Sequence, residues 1–233
     1  MGPLLFLIFI NDLVEIFDPA VTPKLYADDV KLYTKIESNV DNERLQQNVD
    51  RMVQWAKTWQ LNISINKCQT MHISKKRDRC LWKTTFHIDS NPLPDCDFVR
   101  DLGVEVDCDL KFSLHINHIV RKASIRSYLL SRSFVSRDTQ TLVRAFKVYV
   151  RPILEYCSVV WSPYLAKDVD LLESVQRKFT KYLPGLRSMS YSDRLKRVGL
   201  ERLDVRRLRY DLIVAYKILF GLIPIDSTQF LYS

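Results

Sequence analysis

Three hydrophobic patterns succeed one another along the chain, and each predicts a different element. Leu4 to Ile10 is an almost unbroken apolar run, too short to span a bilayer, with no basic residue before it and Asn11, Asp12 and Glu15 after it. That predicts a buried helix from Pro3 to about Phe17, not a leader or an anchor. Pro3 suits a first helical turn, and Asp18-Pro19 ends the helix because the residue before proline is pushed out of the helical region. The next pattern is β-prone: Lys24-Leu25-Tyr26-Ala27-Asp28-Asp29-Val30-Lys31-Leu32-Tyr33 sets two adjacent acids between two short runs. It predicts a hairpin from about Lys24 to Lys35 with carboxylates at its tip, Asp being tolerant of tight-turn backbone angles. From Asn39 to about Trp59, Leu45, Val49, Met52, Val53, Ala56 and Trp59 recur at spacings of three and four. This is the pattern of an amphipathic helix laid on a sheet, with Asn39 and Asp41 as available caps and Trp55 and Trp59 read as core.

Short runs follow. A turn at Asn66-Lys67 leads to a strand over Thr70–Ile73, and Thr84–Ile88, a turn at Ser90-Asn91-Pro92 and Phe98–Val106 suggest further hairpins. Gly103, inside a strand pattern, marks a bulge or a close backbone approach. After Lys111 the period becomes helical and stays so, over Phe112–Ser133, Asp138–Tyr156 with a kink at Pro152, Asp168–Leu183 and Asp204–Phe220. The class expected is α+β: antiparallel strands with packed helices over residues 1–110, then an all-helical region over 111–233.

Charge sharpens that boundary. The 233 residues carry a net +8, yet residues 1–110 hold 13 Lys/Arg against 17 Asp/Glu and residues 111–233 hold 22 against 10. An acidic first part at −4 joined to a basic second part at +12 suits a protein that handles nucleic acid, with cations near a reacting phosphate and side-chain charge along a duplex. Basic residues stripe the helices: Lys122 and Arg126, four apart; Arg144, Lys147 and Arg151, at spacings of three and four; and Arg177, Lys178 and Lys181 late in theirs. Lys75, Lys76, Arg77 and Arg79 form a short basic loop, ordinarily a solvated one. Asp168, Asp170 and Glu173 open their helix in agreement with the dipole, whereas Arg206, Arg207 and Arg209 stand in the first turns of theirs and oppose it. A bound phosphate, or the neighbours Glu201, Asp204 and Asp211, would relieve that conflict. The five cysteines are odd in number, include no Cys-x-x-Cys pair and follow no secretory signal, so a reduced intracellular compartment, nucleus or cytoplasm, is expected.

Two side-by-side carboxylates repel unless a cation sits beside them, and Mg²⁺ is the natural hard-ion candidate for Asp28 and Asp29. Tyr26-Ala27-Asp28-Asp29 between strands resembles the metal-binding tip of the reverse transcriptase palm. Three further motifs fall in order. Gly2–Leu13 resembles the preceding palm helix of LINE-type (non-LTR) retrotransposons, Leu61–Cys68 the next palm motif with its lysine, and Asp101-Leu102-Gly103-Val104 the primer-grip hairpin. Arg151–Tyr164 and Leu171–Phe179 are similar to the segment after the palm in jockey-like members.

The resemblance implies RNA-directed DNA polymerisation: attack of a primer 3′-hydroxyl on the α-phosphate of a deoxynucleoside triphosphate, assisted by two Mg²⁺ ions. It implies Asp28 and Asp29 as metal ligands, Asp28 the more direct one. Lys67 would stand near the triphosphate, Leu102 and Gly103 in the primer grip, and the helices after residue 111 as a thumb over RNA template and DNA primer. Against the family pattern the chain lacks the earlier palm Asp, the fingers and the Pro-Gln-Gly loop, all of which belong upstream of Met1. The expectation is therefore a palm-plus-thumb fragment that keeps affinity for nucleic acid and does not polymerise alone, with no membrane partner. The alternatives are a non-enzymatic binding module that uses only the basic half, and an unstable remnant exposing apolar surface.

Overall fold

The computed structural model describes residues 2–74, 83–135 and 137–225. The basic run Lys75, Lys76, Arg77 and Arg79 lies outside these. The backbone divides into two units, Met1–Val99 with Asp107–Leu110, and Arg100–Val106 with Lys111–Ser233.

In the first unit, helix α1 (Gly2–Ile10) runs into a 3-10 helix (Asn11–Ile16), β1 (Thr22–Tyr26) pairs antiparallel with β2 (Asp29–Tyr33), and α2 (Asn39–Thr58) follows. Leu25 opposite Val30 and Pro23 opposite Leu32 set the hairpin register. Leu25, Val30 and Leu32 pack against Ile10, Leu13 and Phe17, and the same cluster takes in Met52 and Trp55 of α2. Val49 and Val53 of α2 also pack on Phe86, Ile88 and Leu93. A second antiparallel pair, β3 (His87–Ile88) with β4 (Asn91–Pro92), turns at Asp89-Ser90, whose φ values of 46° and 66° are those of a tight hairpin turn. The turn thus stands one residue earlier than Ser90-Asn91-Pro92.

Several expectations change here. The apolar run of α1 is not buried: Leu4 and Ile8 are 64% and 66% exposed, and only Ile10 is enclosed. Apolarity on all sides says that a helix needs cover, not that these residues supply it. Helix α2 begins at Asn39 as expected, but its N-cap is Ser38, one residue before the expected cap. Asp41 accepts from the Ser38 and Glu37 backbone N–H groups, which hold its carboxyl below the usual range. Trp59 stays 43% exposed, edge-on to Phe9 at 5.1 Å. The strand expected over Thr70–Ile73 reduces, among the described residues, to one bridge, Thr70 to Asp95.

The third hairpin, β5 (Phe98–Asp101) with β6 (Val104–Asp107), has its tip in the second unit. The helices after it are α3 (Ser113–Ser133), α4 (Thr139–Tyr149), α5 (Arg151–Glu155), α6 (Ser158–Trp161), α7 (Ala166–Tyr182), α8 (Tyr191–Val198) and α9 (Leu203–Leu219). Pro152 does not kink one long helix. The chain breaks at Val150, and the proline sits in the first turn of α5, where its missing N–H is harmless. One core serves this unit: Ile116, Ile119 and Ala123 of α3, Leu142 and Phe146 of α4, Leu154, Trp161, and Leu172, Val175 and Phe179 of α7. Phe146 and Phe179 stack at 4.3 Å, joining α4 to α7. Helix α8 has no counterpart in the periodicity, but Ser190 capping the Asp193 N–H and Gly199 at φ 63° are its start and stop signals. Among the described residues, three two-stranded antiparallel pairs and these helices make the fold α+β.

Candidate functional site

The acid pair sits where a two-residue turn closes β1 on β2. Asp28 is a turn residue and Asp29 the first of β2, paired with Tyr26, and both are exposed. The residue that takes the left-handed backbone is Ala27, at φ 52°, rather than either aspartate. An alanine there is strained by about 1–2 kcal/mol, held at the tip by strand pairing on both sides. Lys24 and Lys31 stand directly opposite one another on the outward face with Tyr26 and Tyr33, while Leu25, Val30 and Leu32 anchor the inward face. Like charges opposite one another weaken a ladder, so the outward face carries a charge arrangement that strand pairing alone does not favour.

Two adjacent, exposed carboxylates are a hard-oxygen donor set of the size Mg²⁺ uses, since that ion takes one or two carboxylates and completes its shell with water and substrate phosphate. The pair fits the ion to that extent. Among the described residues no group of three or more His, Cys, Asp and Glu stands close enough to form a fuller cage.

Lys67 is exposed on a 3-10 turn, Ile65–Lys67, whose Ile65 and Cys68 pack with Val49 and Phe86. Asp28 and Asp29 belong instead to the hairpin anchored on Leu13 and Phe17.

In the second unit, Leu102 and Gly103 are the two central residues of a tight turn, with φ 45° and 90°. Gly103 is thus a turn residue and not one inside a strand. The close approach expected of it is real: a Cβ there would lie 3.4 Å from Cε1 of Tyr156. The Tyr156 hydroxyl donates to the Leu102 carbonyl at 3.0 Å. Sequence reasoning took the segment around Tyr156 only as part of a motif, and its contact with the turn spans 54 residues.

The basic stripes differ in their engagements. Lys122 and Arg126 on α3, Arg144 on α4 and Lys178 and Lys181 on α7 are exposed. Lys147 donates to the Gly199 carbonyl at 3.4 Å, Arg151 lies 3.6 Å from Glu155, and Arg177 lies 3.8 Å from Asp170 and over the ring of Tyr191. The conflict at the start of α9 is resolved by neighbours: Arg209 is bidentate to Glu201, and Arg206 is bidentate to Glu155, a partner local sequence did not suggest.

His115, 3% exposed, accepts the Glu105 N–H at Nδ1. Burial holds its pKa below the ordinary 6.5; the Glu105 charge opposes that, and His118 and Arg100 reinforce it. Protonation would require Nδ1 to give up its acceptor role. Because the folded pKa is the lower one, the unfolded chain binds the extra proton first as pH falls. The expected result is full stability above about pH 6.5 and declining stability below it. His115→Gln, unable to titrate, should flatten urea midpoints of the helical unit between pH 7.5 and 5.5; an unchanged slope would remove His115 as the cause.

Residues 1–106 match the family described as Reverse transcriptase (RNA-dependent DNA polymerase). The chain is 24% identical over 195 residues to the RNA-directed DNA polymerase from mobile element jockey of Drosophila melanogaster, covering 79% of this chain and 21% of that protein. The probable RNA-directed DNA polymerase from transposon X-element of the same fly is 22% identical over 193 residues, again 79% and 21%. An uncharacterized protein of Caenorhabditis elegans is 28% identical over 126 residues, 53% of this chain and 64% of that one. The chain therefore spans about a fifth of the fly proteins and under two thirds of the worm protein. No solved structure matches it.

Proposed function

We propose, from the premise that this chain belongs to the reverse transcriptases of non-LTR, LINE-type retrotransposons, that it supplies the catalytic hairpin and the duplex-binding helices of an RNA-directed DNA polymerase. The observation that carries this is the exposed Asp28-Asp29 pair at the tip of a two-residue hairpin inside the matched residues. In this reading residues 1–110 are palm, with the primer-grip hairpin, and residues 111–233 are thumb.

Asp28 and Asp29 would hold divalent metal, Asp28 from the turn and Asp29 from the strand start. When bound, Mg²⁺ offsets charge on the phosphate oxygens and on the attacking and leaving oxygens of the transfer. The Lys67 ammonium sets a positive charge and a transferable proton beside the pyrophosphate that leaves the deoxynucleoside triphosphate. The Leu102-Gly103 tip, braced from behind by Tyr156, meets the primer. Lys122, Arg126, Arg144, Lys147, Arg151, Arg177, Lys178 and Lys181 line the template–primer hybrid and displace its counterions. Arg151 and Arg177 carry less of that load, because Glu155 and Asp170 already share their charge.

A second reading, a binding module without catalysis, is favoured by the +12 of residues 111–233 and by the lack of a third acid beside the pair among the described residues. One experiment tests both. The purified chain is titrated with oligo(dT) annealed to poly(rA) over a salt series, then given Mg²⁺ or Mn²⁺ and dTTP, with Asp28→Ala alongside. Tight binding is expected, with affinity falling about 10³-fold between 50 and 200 mM salt if some six phosphates are contacted. Incorporation that Asp28→Ala abolishes supports the polymerase, and binding without incorporation supports the module. Weak, salt-insensitive binding would sink both.

A further inference from the structure

A closed ring of contacts joins the Leu102-Gly103 turn to the segment from Arg151 to Trp161, all within the second unit. We propose that Tyr156 is a positioning residue: its hydroxyl and ring fix the conformation of this turn, so that the helical region sets the angle at which the hairpin tip is presented.

The turn does not specify itself. Both central residues have positive φ, a geometry that favours Asn-Gly or Gly-Gly, and leucine at φ 45° is out of place there. Contacts from outside the hairpin add to the hold of strand pairing, and Tyr156 supplies two. Its O–H donates to the Leu102 carbonyl at 3.0 Å, and its ring lies against the open side of Gly103, where a Cβ would stand 3.4 Å from Cε1.

Tyr156 is itself held. Its carbonyl accepts the indole N–H of Trp161 at 2.8 Å, and Trp161, 1% exposed, is locked in the core. The Trp161 ring stands edge-on to His115 at 5.3 Å. His115 accepts the N–H of Glu105, two residues beyond Gly103, at 3.2 Å. The chain of contacts leaves the hairpin at Leu102 and returns at Glu105. Tyr156 is 58% exposed, so core filling does not explain its placement, and Cys157 after it takes a left-handed φ of 56°, the sharp bend that turns the backbone toward Trp161.

The consequence for hybrid binding rests on the primer-grip reading of Leu102 and Gly103, and the test separates the two. Amide hydrogen exchange is measured on the whole chain for wild type, Tyr156→Phe and Tyr156→Ala, together with affinity for the oligo(dT)–poly(rA) hybrid. Tyr156→Phe keeps the ring and deletes one hydrogen bond. It should raise exchange at Val104 and Glu105 about threefold to tenfold, leave α3 and α7 protected as in wild type, and weaken hybrid binding at least threefold.

Faster exchange at the tip with unchanged affinity would leave the positioning role standing and remove the tip from the primer-binding surface. Unchanged tip exchange in both variants overturns the proposal, as does a rise spread evenly over the helical unit. Affinity lost only in Tyr156→Ala, with tip exchange unchanged, would make the ring a direct contact to nucleic acid and overturn it equally.

Discussion

Glu173→Ala is expected to destabilise the helical unit by about 3–5 kcal/mol, the range for removing one partner of a buried charge network. Glu173 is 1% exposed in the middle of α7 and serves two other elements. One carboxylate oxygen accepts the backbone N–H of Leu203 at the start of α9, at 2.9 Å, and the other accepts the Tyr191 hydroxyl of α8. Burial, and then the bond to Glu173, push the Tyr191 phenol well above its ordinary range and keep it a donor. That hydroxyl in turn accepts from Gln176 at 3.2 Å, and Gln176 also donates to the Glu201 carbonyl at 2.8 Å. Arg207, 2% exposed with both terminal nitrogens unpartnered in direct hydrogen bonds, draws compensating charge first from Glu173 and then from Asp204, Glu155 and Asp211. Deleting the carboxylate strands a buried N–H and a buried O–H and removes the largest of the four charges that offset the buried guanidinium. Glu173→Gln keeps acceptor capacity on one side and should lose roughly half as much. Urea unfolding followed by exchange at α7 and α9 amides would show it, and a loss under about 1 kcal/mol, the usual range of an ordinary surface change, would refute the network.

Glu173 also marks the limit of what local sequence reveals. Read along the chain, it joins Asp168 and Asp170 as an acid near a helix N-terminus, complementing the dipole. In the fold, Asp168 is buried and accepts from Ser113 at 2.8 Å, 55 residues away, and Glu173 caps a different helix 30 residues on. Helical periodicity is a short-range signal, so α2, α3, α7 and α9 were legible to within two residues at each end. The acid hairpin was equally legible, because β-prone runs flanking two acids are local. A buried polar residue looks on its own helix like a misplaced one, and its reason lies in a partner that no window contains.

The candidate site divides the same way. Asp28 and Asp29 stand out in sequence, while the strain at their turn falls on Ala27, which has no distinctive chemistry. The Leu102-Gly103 turn looks in sequence like a strand position because nothing local calls for two left-handed residues; the contact that braces it comes from Tyr156, 54 residues along the chain. The exposure of α1 was illegible for a different reason. An apolar helix states its need for a partner surface, and only the tertiary structure shows that Leu4, Leu5, Leu7 and Ile8 have none among the described residues.

Phe146→Ala should cost the helical unit about 3–5 kcal/mol, as truncation of a core aromatic does when the site cannot collapse. Phe146 has no exposed surface, and its ring stacks on Phe179 at 4.3 Å and 18° between planes. Leu142, Ala145 and Phe146 form the buried face of α4, and Arg144 lies between them on the exposed side, with Lys147 one residue on. Phe179 likewise lies beside Lys178 and two residues before Lys181 on α7. The stack therefore ties α4 to α7, and under the proposed duplex-binding reading loosening it should widen the spacing between their basic stripes. Phe146→Leu, which keeps most of the volume, should lose no more than about 1.5 kcal/mol and retain hybrid affinity. Phe146→Ala, assayed where it remains folded by exchange at α3, should bind the hybrid more weakly and with a shallower salt dependence, because fewer phosphates are met at once. Equal stability of the two variants would show that the stack is not a structural joint. Unequal stability with an identical salt slope would show that the stripes act independently and that the core holds the helices without aligning their charge.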